Sequence, residues 1–328
     1  MLNNVYLFAF GLILLIKGGD WFVDAATAIA RRFKLPELLI GATVVSIGTT
    51  LPEVMVSATA AMQGSSEMAY GNAIGSIICN TSLIAALSIA IKPSKVKRKN
   101  LIIPAAFFLV AALFYSITAY LGGHFTRVHG IILLSIFVIY MTTTVVRMFK
   151  SKKEEEATMP SEQLEIEDEK KESILKNILF LIIGAATIAL GADLLVDNGT
   201  IIAEHLGVPE TVISLTFVAL GTSLPELVTA ITALSKGHGA LSVGNILGAN
   251  LFNLVFVSGI AISILPFDVP AGNTIGGVSA SLAVDIPVMI AVMAIMVIPA
   301  LIRNKLSRVQ GFLLLAIYAG FCVFQFAL

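Results

Sequence analysis

Apolar residues in this chain run in long blocks rather than in stripes. Stretches almost free of charge fall at roughly 3–24, 36–62, 69–91, 101–121, 128–148, 176–198, 208–235, 240–265, 280–301 and 309–327, each close to the roughly 20 residues an α-helix needs to cross a bilayer. A helix that is apolar all round has no face to offer water. The pattern therefore predicts an all-α polytopic membrane protein of ten transmembrane helices, set in a lipid bilayer. It divides into five spans at 1–148 (core motifs 36–91), a polar linker at 149–175, and five more at 176–328 (core motifs 208–265).

Two of the blocks are interrupted at matching places. Gly48-Thr49-Thr50-Leu51-Pro52-Glu53 lies inside the second and Gly221-Thr222-Ser223-Leu224-Pro225-Glu226 inside the seventh. A carboxylate within a span costs a few kcal/mol or more and marks a functional site by default. Pro52 has no N–H to give and crowds the carbonyl four residues back, which frees the Gly48 oxygen. Helices 2 and 7 are thus predicted to be broken, and in hydrocarbon a freed carbonyl is tolerated only where protein or an ion-holding cavity receives it. Carboxylate, hydroxyl and carbonyl oxygens at one depth are the hard donors that Ca2+ and Na+ take.

The likeness extends beyond these motifs. Residues 11–80 laid over 184–253 without a gap are identical at 25 of 70 positions, including Asp20/Asp193, Asp24/Asp197, Pro36/Pro209, Glu37/Glu210 and Gly71-Asn72/Gly244-Asn245. Five spans per half is an odd number, so the second copy must enter the membrane from the opposite side: two inverted-topology five-helix repeats. The basic residues agree. With both chain ends outside, 19 of the 21 Lys and Arg fall in loops on the cytoplasmic side, leaving only Lys17 and Arg127 elsewhere, as the positive-inside rule expects. Duplicated halves with interrupted spans in corresponding places point to a secondary transporter and to its binding site.

Composition adds exclusions. At 57% hydrophobic and 13% charged, the chain has more apolar surface than a soluble domain can hide. Its 21 basic and 21 acidic residues cancel, which gives no basic field for a nucleic-acid partner. Cys79 and Cys322 both fall in spans, so no disulfide framework is expected. The start resembles a signal peptide but lacks a basic head and runs into the repeat, so it reads as the first span. The acidic linker, with nine Asp and Glu from Glu154 to Glu172, reads as a solvated cytoplasmic segment. Asp20, Asp24, Asp193, Asp197 and Asp285 lie near span ends and read as loop-fixing or interface-solvated groups. Trp21, Tyr115, Tyr120, Tyr140 and Tyr318 read as interface aromatics.

A second motif follows each Pro-Glu break: Gly71-Asn72-Ala73-Ile74-Gly75-Ser76 through Asn80, and Gly244-Asn245-Ile246-Leu247-Gly248-Ala249 through Asn253. Ser76 and Asn80 share a helix face, and the glycines four apart permit close helix approach. Two Glu and two Asn amides around a pseudo-twofold axis make a midplane site of formal charge near −2. One Ca2+ matches that charge, and several Na+ spread over the flanking hydroxyls match it too. Competition of two ions for the same carboxylates is the core of an antiporter. No nucleophile–base pair or zinc spacing suggests an enzyme, no cofactor is implied, and a channel would need sites weak enough to release the ion.

On these motifs the chain resembles the sodium/calcium exchangers of the cation/calcium exchanger superfamily, in their prokaryotic form. The resemblance implies electrogenic exchange, usually three Na+ for one Ca2+, with Glu53 and Glu226 as central Ca2+ ligands helped by Thr49 and Thr222. It implies a flanking Na+ site from Thr49, Thr50, Ser76 and the Ser46 carbonyl, and another from Thr222, Ser223 and the Ala219 carbonyl, with Asn80 and Asn253 completing the centre. A monomeric transport unit in the plasma membrane is expected. Some relatives carry Ser where this chain has Ala249, so one Na+ site lacks a hydroxyl. Asn253 stands where potassium-dependent relatives carry Asp, which argues against K+ cotransport. Proton-coupled calcium exchangers, which use another motif, remain the alternative.

Overall fold

The computed structural model describes residues 2–33, 35–93, 95–156, 173–205, 221–271 and 274–327. Its elements are α1 (Leu2–Arg32), α2 (Glu37–Thr49), α3 (Leu51–Met62), α4 (Ser66–Ile91), α5 (Arg98–Gly122), α6 (Arg127–Glu156), α7 (Ile174–His205), α8 (Leu224–Ser235), α9 (Gly239–Ile264), α10 (Ser281–Arg303) and α11 (Arg308–Ala327). The only other regular structure among the described residues is a pair of two-residue strand ladders, His124–Phe125 with Phe267–Asp268 and Thr274–Ile275 with Val278–Ser279.

Among the described residues eight helices are long and apolar enough to cross a membrane, or nine if the bent pair α2 and α3 is counted as one span. The seventh predicted block falls partly outside the described residues; its described part is α8, which is too short to span alone. The linker reading at 149–175 also lies largely outside them, although α6 runs on into it as far as Glu156.

By contact the chain divides into two compact units, each drawing on both halves of the sequence: Met1–Thr49 with Met141–Asn245, and Thr50–Tyr140 with Ile246–Leu328. In the first, α1 and α7 run antiparallel and meet backbone to backbone at glycines. A Cβ added to Gly11 would stand 2.9 Å from the Gly191 oxygen, and one added to Gly18 would stand 3.0 Å from the Gly184 oxygen. These glycines are seven apart in each copy and occupy equivalent positions. Without a hydrophobic drive between helices in lipid, such close packing is what holds them. Lys236, just past α8, ties that helix to α1, its Nζ lying 3.1 Å from Asp20 Oδ1 and 2.8 Å from Asp24 Oδ1. His238 Nδ1 lies 2.8 Å from Glu37 Oε1. The loop-fixing reading of Asp20 and Asp24 thus has its partner.

In the second unit Tyr115 packs on Phe125 and Phe125 on Phe267, while Tyr140 meets Phe107 and Phe252. Tyr115 and Tyr140 are wholly buried, so the interface reading is corrected for these two: their rings fill gaps between helices. Pro299 inside α10 cannot bond the Ile295 carbonyl, and Gln310 of α11 supplies the missing donor, its Nε2 lying 2.9 Å from that oxygen. Gly311 seats α11 on α4, where a Cβ would stand 2.7 Å from Ala90 N. Asp285 near the start of α10 accepts from Gln325 Nε2 at 2.9 Å.

Candidate functional site

The break in the second span falls where Pro52 places it. Thr50 leaves the helix, with φ −87° and ψ −1°, and α3 starts at Leu51 with proline in its first turn, where a missing N–H costs nothing. The second copy repeats the cap: Ser223 has φ −91° and ψ 3°, and α8 starts at Leu224 with Pro225 next. Glu53 and Glu226 consequently sit in the first turns of their helices, at the positive end of the macrodipole, which favours a carboxylate. Both are 0% exposed, and they are the only two wholly buried acidic side chains among the described residues.

Within the first unit, Ser46 and Thr49 at the end of α2 are joined through Asn245. Ser46 Oγ lies 2.7 Å from the Gly41 oxygen and 2.9 Å from the Asn245 oxygen. Thr49 Oγ1 donates to Asn245 Oδ1 at 3.2 Å. Two glycines make this approach feasible. A Cβ on Gly244 would overlap the Leu38 carbonyl and stand 2.9 Å from Leu38 Cα, and one on Gly41 would overlap the Leu241 oxygen and stand 2.8 Å from Asn245 N. α8 packs on the end of α2 in the same unit, with Ser223, Glu226 and Thr229 all buried.

Within the second unit, Asn72 holds the start of α3. Its Nδ2 donates to the Glu53 backbone oxygen at 3.1 Å and to Ser57 Oγ at 2.8 Å. Asn72 and Asn245 are equivalent positions in the two copies, and both serve the second span: Asn245 holds the end of α2 and Asn72 the start of α3. Both were legible as Gly-Asn pairs identical in the two motifs, although neither stood among the predicted ligands. Thr50, Ser76, Asn80 and Asn253 are buried here, and α3 and α4 both pack against the Asn253–Val257 turn.

Asn80 and Asn253 each open a π-helical turn, at Asn80–Ala85 and Asn253–Val257. A π-turn widens the helix by one residue and is frequent at functional sites. Both asparagines are 0% exposed, and their amide oxygens and nitrogens have no hydrogen-bond partner among the described residues. A buried polar group left so costs on the order of 1–3 kcal/mol, and such groups call for an ion or water. Asn250 is part of the same environment: its Nδ2 donates to Thr81 Oγ1 at 2.6 Å while its Oδ1 has no partner among the described residues.

Of the predicted ligands, Ser46, Thr49, Thr222, Ser223 and Glu226 belong to the first unit, and Thr50, Glu53, Ser76, Asn80 and Asn253 to the second. Ala219 lies outside the described residues. An added Cβ at Gly71 or Gly75 meets nothing within 4 Å among the described residues, so of the motif glycines it is Gly244 whose close approach is visible. No cluster of three or more His, Cys, Asp or Glu occurs among the described residues, so a bound metal would rest on carboxylate, amide, hydroxyl and carbonyl oxygens, the donors that suit Ca2+ and Na+.

The family model described as sodium/calcium exchanger protein matches residues 3–146 and 176–327. This chain belongs to that family. As a sodium/calcium exchanger family member it is 34% identical over 321 residues to an uncharacterised membrane protein of Methanocaldococcus jannaschii, covering 97% of this chain and 96% of that protein. It is 30% identical over 352 residues to the sodium/calcium exchanger MaX1 of Methanosarcina acetivorans, covering 98% of both. A structure of the sodium-calcium exchanger NCX_Mj, soaked with Na+ and Sr2+, superposes with a TM-score of 0.78 at 32% identity over 97% of each chain. The family is one of membrane exchangers, and this exchanger's multi-pass helical fold is theirs.

Proposed function

We propose that the chain is a secondary active antiporter of the plasma membrane that exchanges Na+ for Ca2+ by alternating access. The observation that carries the reading is the duplicated break: two glutamates at equivalent positions of two repeated motifs, each wholly buried in the first turn of a helix that restarts at Leu-Pro-Glu. In this reading the ten spans form two inverted five-helix repeats, and the antiparallel pairing of α1 with α7 at equivalent glycines supports it. Both termini face outward.

Glu53 and Glu226 bind Ca2+ with help from Thr49 and Thr222. Na+ occupies sites built from Thr49, Thr50, Ser76 and the Ser46 carbonyl, and from Thr222, Ser223 and the Ala219 carbonyl. Asn80 and Asn253, whose amides lack partners in the described chain, complete the centre. Asn72 and Asn245 position the broken ends. Loaded states are neutralised and reorient, whereas bare carboxylates are too costly to move through low dielectric. With three Na+ per Ca2+, one net charge crosses per cycle, worth about 2.3 kcal/mol per 100 mV.

The test is Ca2+ uptake by proteoliposomes under separate Na+, H+ and K+ gradients. An outward Na+ gradient should drive uptake against the Ca2+ gradient, faster with the vesicle interior positive, because three Na+ leaving for one Ca2+ entering carry one positive charge out per cycle. Uptake driven by a pH gradient and indifferent to Na+ would select proton coupling instead. Dissipation only, without uphill movement, would make it a channel.

A further inference from the structure

The end of α1 and the beginning of α7, both in the first unit, line an open cavity of about 190 Å3 with Trp21, Asp24, Ala25, Lys176, Asn177 and Phe180. Ion exchange uses none of these residues. The volume is below the roughly 300–1,000 Å3 of sites that hold drug-sized molecules, so a compact group fits. Trp21 meets Phe180 edge-on with ring centroids 6.3 Å apart, and the two rings keep 39% and 36% of their surface open. Asp24 gives Oδ1 to Lys236, yet its side chain is 66% exposed and keeps acceptor capacity. Lys176 belongs to the first turn of the 32-residue α7, where the helix dipole adds to its own charge in favouring an anionic oxygen.

Among the described residues the charges here balance: Asp20 and Asp24 face Lys236, and Lys176 lines the cavity together with Asp24. A site with no net charge favours neither a bare anion nor a bare cation. It suits a ligand carrying both signs a short distance apart, and an open indole near a span end is characteristic of the headgroup layer of a bilayer. We propose that this cavity binds the headgroup of a zwitterionic aminophospholipid. The ammonium lies on Asp24 and the face of Trp21, the phosphate on Lys176 at the start of α7, and the acyl chains stay in the bilayer alongside α1 and α7. A primary ammonium is preferred to a quaternary one, because it donates hydrogen bonds to the Asp24 carboxylate. Two rings set edge to face do not close the aromatic cage that a quaternary group takes.

Trp21 is the sole tryptophan of the chain, so its emission reports this cavity alone. The purified full-length protein in detergent is titrated with short-chain phosphatidylethanolamine, phosphatidylcholine and phosphatidylglycerol, with glycerophosphoethanolamine, and with inorganic phosphate. Phosphatidylethanolamine should give a saturable shift at a concentration about tenfold below phosphatidylglycerol, the worth of one charge-assisted hydrogen bond. Phosphatidylcholine should fall between them. Lys176→Gln and Asp24→Asn should each weaken the response about tenfold while the protein elutes as the wild type does, and Lys176→Arg should restore it. Equal response to all three lipids would mean unspecific partition and would overturn the proposal. So would saturation by inorganic phosphate in the same concentration range, which would make it a free-anion site, or no saturable change at all.

Discussion

Gly244→Ala tests how the first unit holds its part of the site. The new Cβ would overlap the carbonyl of Leu38 and stand 2.9 Å from Leu38 Cα. Both are backbone atoms, so no flexible side chain can yield, and α2 and α9 must separate there. Overpacking of this kind costs about 1–3 kcal/mol. The separation also stretches the Ser46 and Thr49 contacts to Asn245, now 2.9 and 3.2 Å, and interhelical hydrogen bonds in membranes average roughly 0.6 kcal/mol each. The sum is about 2–4 kcal/mol, with steric overlap the larger part. Because Ser46 and Thr49 are displaced, Na+-driven Ca2+ uptake should fall further than loss of folded protein explains. The assay pairs thermal unfolding in detergent with initial uptake rates in proteoliposomes, normalised to folded protein. Gly320→Ala serves as the control: it lies in α11 with nothing within 4 Å among the described residues, so it should be neutral or stabilising by up to about 1 kcal/mol. A Gly244→Ala protein with wild-type stability and uptake would refute the reasoning.

Other perturbations separate the roles of further residues. Glu53→Gln or Glu226→Gln should abolish Ca2+ uptake, whereas Asp197→Asn, at an exposed position of α7, should leave it substantial; equal losses would undo the ligand assignment. Ala249→Ser restores a hydroxyl in a wholly buried position and should lower the Na+ concentration for half-maximal exchange, measured by Na+ titration of uptake. Burial works against the charge of Lys236, but its hydrogen bonds to Asp24 and Asp20 outweigh that and hold its pKa above the ordinary value. The pair's contribution is therefore full below the ordinary lysine pKa and is lost only as pH rises through the raised value. Lys236→Gln should cost about 1 kcal/mol or less, since these side chains are partly solvated, and thermal unfolding across the neutral range should show the same difference at every pH.

The break in the second span was legible because proline acts through covalent geometry: Pro52 lacks a donor wherever it stands, so the restart at Leu51 follows from the sequence. The burial of Glu53 and Glu226 was legible for a similar reason, since no other place in an apolar block can hold a carboxylate. The π-turns at Asn80 and Asn253 were not, because widening a helix by one residue reflects how it packs and leaves no mark on residue type. The roles of Asn72 and Asn245 also escaped, since an amide in a helix is equally suited to an ion or to a neighbouring carbonyl, and only the fold decides. The contact of Gly11 with Gly191 was within reach, as glycines spaced by seven stand in both copies, but their partner could not be named before the helices were paired. Tyr115 and Tyr140 were misread because an aromatic near a span end is compatible with the headgroup layer and with an interior gap alike.

The central claim is that Glu53 and Glu226 hold one Ca2+ in competition with Na+. Equilibrium binding of radiolabelled Ca2+ to the purified protein, titrated with Na+, tests it most directly. The account predicts one Ca2+ per chain, cooperative displacement by Na+ with a Hill coefficient above one, and no binding once either glutamate is replaced by glutamine. Ca2+ binding that Na+ leaves untouched, or that survives in both variants, would contradict it.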